Sequence, residues 1–95
     1  MKLNLDKPLE ALDGTAIKEV NMAKYLADRI AGETEGQSKV KLLDWALSLF
    51  RQGFVELDES DCAWISNFVA HNKTIPSLFG GQIIKEIDSQ KNVRQ

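Results

Sequence analysis

Asp58, Glu59 and Asp61 put three carboxylates within four residues, the densest group of potential metal ligands in the chain. A calcium loop of the helix–loop–helix type needs a glycine at its sixth position and a bidentate glutamate at its twelfth. Counted from Asp58 those positions are Ala63 and Val69. The same acids suit the first turn of a helix, where the positive end of the macrodipole favours negative charge, and the sequence assigns them that role. Cys62 follows at once, on the apolar face of the same segment and with no base near it in sequence, so it reads as a buried structural thiol. A single cysteine makes no internal disulfide, and the single His71 completes no Cys/His zinc set. His71 falls in a last helical turn, where an imidazole serves as a cap. Gly80-Gly81-Gln82 lacks the Lys-Ser/Thr of a phosphate loop and the third glycine of a dinucleotide fingerprint. The sequence therefore predicts no catalytic residues, no metal site and no cofactor, and a protein that is not an enzyme.

Aromatic residues are the remaining candidates. Trp45, Trp64, Phe50, Phe54, Phe68 and Phe79 recur at spacings that place most of them in a core. A chain of 95 residues cannot bury all of them, so one or two should mark a protein interface, with Trp45 and Trp64 the first choices.

These side chains need elements to position them. From Met1 to Val20 apolar and polar residues alternate around Asp13-Gly14, which predicts a β-hairpin with residues 2–5 or 8–12 on one side and 15–19 on the other. A hairpin edge must be covered, so the backbone around Lys2, Asn4 and Asp6 is a candidate for pairing with a partner's strand. Asn21 caps a first helix over 22–31 that Gly32 ends, and the polar segment 32–37 is a mobile loop, the expected first site of proteolysis. Ser38 caps a central helix over 39–52, ended by Gly53. Leu42, Leu43, Ala46, Leu47, Leu49 and Phe50 form its broad apolar face, widened by Val40 and Trp45. Phe54 to Leu57 is a short extended piece, Cys62 to Ala70 a third helix, and Thr74 with Pro76 opens a fourth that runs to about Ser89. Gly80-Gly81 either breaks that fourth helix or marks a close neighbour. The predicted fold is thus predominantly α with a short N-terminal β-hairpin (α+β), about four helices around one core. It forms one domain over 1–95, with the hairpin at 1–20, a helical body at 21–89 and a frayed tail at 90–95. Leu43, Leu47 and Phe50 are expected to share that core with Ile65, Val69, Ile83 and Ile87.

Charge narrows the functions. The net charge is -2, and residues 32 to 60 hold three Lys/Arg against six Asp/Glu. No basic face of the kind that neutralises phosphates stands out, so nucleic acid is not an expected partner. No apolar run approaches the roughly 20 residues that span a bilayer, and Asp6 and Lys7 interrupt any run of secretory-signal length. A protein without membrane contact in a reducing cytoplasm fits these features.

The succession Leu3-Asn4-Leu5-Asp6-Lys7-Pro8, Leu12-Asp13-Gly14, Asn21-Met22-Ala23-Lys24, Leu43-Asp44-Trp45-Ala46-Leu47 and Leu57-Asp58-Glu59-Ser60-Asp61 resembles small proteins of tailed phages and prophages over about 90 residues. In layout, a hairpin followed by helices, the chain is also similar to phage tail assembly chaperones. That resemblance implies binding to a phage structural protein during virion (tail) assembly, in the cytoplasm of a bacterial host. It transfers no binding residues. The alternative is a small prophage DNA-binding regulator. Against it, the second and third helices open with Lys39-Val40-Lys41 and with acids rather than with a row of base-reading side chains, and Lys39, Lys41 and Arg51 would be its only basic face.

Overall fold

The computed structural model describes residues 1–93. Its elements are β1 (Lys2–Asn4), β2 (Pro8–Glu10), β3 (Ala16–Asn21), α1 (Met22–Ala31), α2 (Lys39–Gln52), β4 (Phe54–Glu56), α3 (Glu59–His71) and α4 (Ser77–Val93). The fold is α+β and mostly helical, as the periodicity predicts.

Of the two hairpin pairings the sequence allowed, the turn selects the second. The Gly14 amide donates to the Ala11 carbonyl at 3.0 Å and the Ala11 amide to the Thr15 carbonyl at 2.9 Å, which closes a three-residue loop with Gly14 at φ 89°. Asp13 braces the loop by accepting from the Thr15 hydroxyl at 2.7 Å and the Thr15 amide at 3.0 Å, bonds that hold its carboxyl below the usual carboxylate range. β2 therefore pairs antiparallel with β3, through a bulged register. β1 turns away and pairs antiparallel with β4, Leu3 opposite Val55, so the short extended piece after the central helix is the partner of the first strand.

The crossing between the two strand pairs is also the start of α1. A helix leaves its first amides without intrahelical acceptors. Here the carbonyl of Lys7 accepts from Met22 N–H at 2.8 Å and that of Leu5 from Ala23 N–H at 3.0 Å. The Asn21 side chain accepts from Lys24 N–H at 3.2 Å. Asp6 lies between, its Oδ1 accepting a hydrogen bond from the side-chain Nδ2 of Asn21 at 3.0 Å and its side chain resting on Gly53. Gly53 ends α2 at φ 80°, and a Cβ there would stand 2.6 Å from the Cβ of Asp6, so the position needs glycine for both reasons.

The bounds of α1 and α2 match the sequence prediction. α3 starts three residues earlier than predicted, at Glu59, because Asp58 is the cap that accepts from Asp61 N–H at 2.7 Å. α4 is unbroken through Gly80-Gly81. Gly80 is buried where a Cβ would come 3.2 Å from Ile75 Cγ2, so the close neighbour, not a break, explains it. The helix continues past Ser89 to Val93, which corrects the frayed start assigned to the tail; Arg94 and Gln95 lie outside the described residues.

The core is continuous, running from Leu3, Leu5 and Leu9 through Leu26, Ile30 and Leu49 to Ile65, Ile83 and Ile87. Ile65, Val69, Ile83 and Ile87 are in it as predicted, but α2 presents a different face. Leu42, Trp45, Ala46 and Leu49 are buried, whereas Leu43 is 52% and Phe50 57% exposed and Leu47 is half-buried. The apolar arc of α2 is too wide for its neighbours to cover, and the covered side is the one carrying Trp45. Truncation should separate the two faces. In urea unfolding Leu49→Ala should cost about 2–5 kcal/mol and Leu43→Ala less than about 1 kcal/mol. Equal losses would contradict this burial.

Candidate functional site

The three N-terminal candidates are all turned onto the chain itself. Lys2 Nζ lies 4.0 Å from the centre of the Phe54 ring, Asn4 Oδ1 accepts from Asp6 N–H at 3.0 Å, and Asp6 holds Asn21. At Asn4 the backbone edge is occupied as well. Gln90 on α4 accepts from Asn4 N–H at 2.8 Å through Oε1 and donates from Nε2 to the Asn4 carbonyl at 2.6 Å. Two turns earlier on the same helix Gln82 treats Glu10 alike, accepting its N–H at 2.8 Å and donating to its carbonyl at 2.8 Å. A carboxamide has the donor and acceptor of a peptide group, so each glutamine stands in for one residue of a neighbouring strand. Between them Glu86 pairs with Lys7 Nζ at 2.8 Å and accepts from Gln90 at 2.7 Å. Residues 82, 86 and 90 form one i, i+4, i+8 row along α4. Pairing of residues 2–6 with a foreign strand would have to displace Gln90 at Asn4, and this corrects the open edge assumed from the sequence.

Trp45 is corrected too, being 5% exposed and packed beside Trp64 of α3. Its ring lies 5.8 Å from that of Trp64, which in turn stacks on Phe68 at 5.3 Å with the planes 11° apart. Trp64 is half-buried, with the loop between α1 and α2 lying on it: a Cβ on Gly36 would be 3.0 Å from Trp64 Cζ2. The segment expected to be mobile thus has an aromatic seat. Beside it is a hollow of about 240 Å³ walled by Glu33, Glu35, Trp64, Phe68 and His71.

Part of the apolar face of α2 that the sequence assigns to the core lies outside it. Val40, Leu43, Leu47 and Phe50 follow one another at steps of three, four and three along α2, the spacing of a coiled-coil seam. Their exposures are 71% for Val40, 52% for Leu43 and 57% for Phe50, with Leu47 half-buried. α1 runs antiparallel along one side of this stripe. Lys24 at its start lies 5.3 Å from the Phe50 ring, and Ala31 at its end shares a hollow of about 270 Å³ with Leu43. The excess width of the apolar arc was the available signal, since a helix packed on one side needs only part of it.

Asp61 is engaged with Lys41 Nζ at 2.7 Å, and Asp58 caps α3. Among the described residues no group of three or more His, Cys, Asp or Glu side chains could hold a metal ion. Cys62 is buried, its thiol pushed up from its ordinary pKa by desolvation, with Met1 Sδ at 3.8 Å. His71 is exposed in the last turn of α3. No helix of the described residues is long and apolar enough to cross a membrane.

The pairing with Lys7 and the bond from Gln90 hold the Glu86 carboxyl below its ordinary pKa. A depressed carboxylate adds stability that is complete above the ordinary carboxylate range and is lost as pH falls through the folded-state value. Glu86→Gln should cost about 0.5–1 kcal/mol at pH 7, and the variant should lose less stability than the parent on acidification through that range. An unchanged acid limb in urea unfolding at stepped pH would contradict the role of Glu86.

Compared with protein-family models, with curated proteins and with solved structures, the chain matches none.

Proposed function

We propose that the chain is a non-enzymatic phage or prophage protein that binds another protein through α2, in the setting of virion (tail) assembly in a bacterial cytoplasm. The observation carrying the binding role is the stripe of Val40, Leu43, Leu47 and Phe50, four apolar side chains in seam spacing on the solvent side of a helix whose opposite face is already packed. Exposed apolar side chains in one line on a small domain are characteristic of interaction sites, and a helix or groove of a partner is the natural complement. The phage setting is supported by the sequence resemblance alone.

The regulator reading has less in its favour. Of the three cations on α2, Lys41 is paired with Asp61, while the helix turns apolar residues to solvent where a recognition helix would turn donors.

The test is a comparative pull-down from phage-producing cells with mass spectrometry. A Leu43→Ser/Phe50→Ser variant, checked by circular dichroism to be folded, should capture the partner at least about tenfold less well than the parent, as expected when two interface anchors are lost. Undiminished capture of the same partner by the folded variant would overturn the assignment to α2. Retardation of promoter DNA at physiological salt by the parent would favour the regulator.

A further inference from the structure

We infer that the hollow between the C-terminal ends of α1 and α3 is a site for one arginine side chain of a protein partner. The inference rests on the protein-binding reading only for the source of that side chain; the site itself is argued from its chemistry. Its volume of about 240 Å³ is below the range of about 300–1,000 Å³ typical of cofactor and small-molecule pockets, and suits a single long side chain. One wall is aromatic, made by the stacked rings of Trp64 and Phe68, a surface along which three methylene groups can lie. The loop after α1 adds the carboxylates of Glu33, whose Oε1 also accepts from the Thr34 amide at 2.8 Å, and of Glu35 to the lining.

Two further features give the hollow the same sign. α1 ends at Ala31 and α3 at His71, and Glu33 and Asn72 line the hollow just beyond those ends, so the negative ends of two helix dipoles converge on it. Arg29 does not line it: its guanidinium nitrogens Nη1 and Nη2 are turned to Thr74 and Asp28 in the adjoining hollow. A planar guanidinium has donors on two edges and can meet two carboxylates at once, whereas an ammonium is a strongly hydrated point charge, and this favours arginine over lysine. Glu33 also borders the hollow beside Leu43, the second residue of the apolar stripe that begins at Val40. A partner segment lying on the stripe would therefore reach the acidic hollow at its end.

The direct trial is an NMR titration of the full chain with arginine blocked at both ends (N-acetyl and carboxamide), following the indole N–H of Trp64 and the amide of Gly36. Citrulline blocked in the same way is the uncharged isostere, and blocked lysine the second cation. Arginine should shift both signals saturably in the millimolar range, citrulline should not, and lysine should bind several-fold more weakly. Glu33→Gln/Glu35→Gln should weaken the arginine response at least fivefold, and Asn67→Asp, which adds a carboxylate to the α3 wall, should strengthen it. A response to citrulline equal to that for arginine, lysine binding as tight as arginine, no saturable shift, or indifference to the paired Gln substitutions would overturn the site. Leu43→Ser/Phe50→Ser should leave this titration unchanged, so failure of the α2 interface and failure of the arginine site give different results.

Discussion

The row of Gln82, Glu86 and Gln90 along α4 holds together a fold whose strands are too short to hold themselves. β1, β2 and β4 are three residues each, in two separate two-stranded pairs, and two-stranded pairs are marginal in water. α4 supplies what a third strand would. Its glutamines satisfy the outward amide and carbonyl of Asn4 and of Glu10, and its Glu86 fixes Lys7 midway. Residues 82 and 90 are eight apart, a rise of about 12 Å on a helix, which sets the length of N-terminal chain the row can hold. Once that segment is held, its Leu5 and Lys7 carbonyls are in place to cap α1, and its Leu3, Leu5 and Leu9 side chains close the core beneath.

Closing the N-terminal segment this way has a consequence for function. An exposed strand edge is the usual route by which a small β-element recruits a partner or aggregates. Here the edge at Asn4 and Glu10 is taken by side chains of the same chain; apart from Leu12 in the hairpin loop, the large apolar side chains most exposed to solvent, Val40, Leu43 and Phe50, lie elsewhere, on α2. The two surfaces described for binding meet near Glu33: an apolar stripe that gives area without charge, and an acidic, aromatic hollow that gives charge in a confined place. Under the two proposals they suit a partner segment that is apolar along most of its length and carries an arginine.

Much of this was legible in the sequence because local signals and tertiary contacts agreed. Asn21, Ser38 and Gly53 mark helix ends by their own chemistry, and the bounds of α1 and α2 follow from them. What was not legible depends on contacts distant in sequence. Nothing local says that Lys2 to Asn4 will pair with Phe54 to Glu56, or that a glutamine in a polar C-terminal stretch will reach a backbone more than eighty residues away. The face of α2 was misjudged for a related reason. Apolar residues cover so wide an arc that periodicity alone does not say which side the neighbours take, and Leu43 and Phe50 fell on the other one. The number of aromatics in a small chain says that some stay near the surface but not which, and Trp45, the largest side chain on α2, is one that packs inward against Trp64 of α3.

Backbone hydrogen exchange at Asn4 and Glu10 tests most directly whether α4 closes the N-terminal edge. In the parent protein both amides should be protected. In a Gln82→Met/Gln90→Met variant, which keeps side-chain length and removes the carboxamides, both should exchange at least tenfold faster while Leu49 and Ile65 in the core keep their protection. Unchanged protection of Asn4 and Glu10 in that variant would contradict the account.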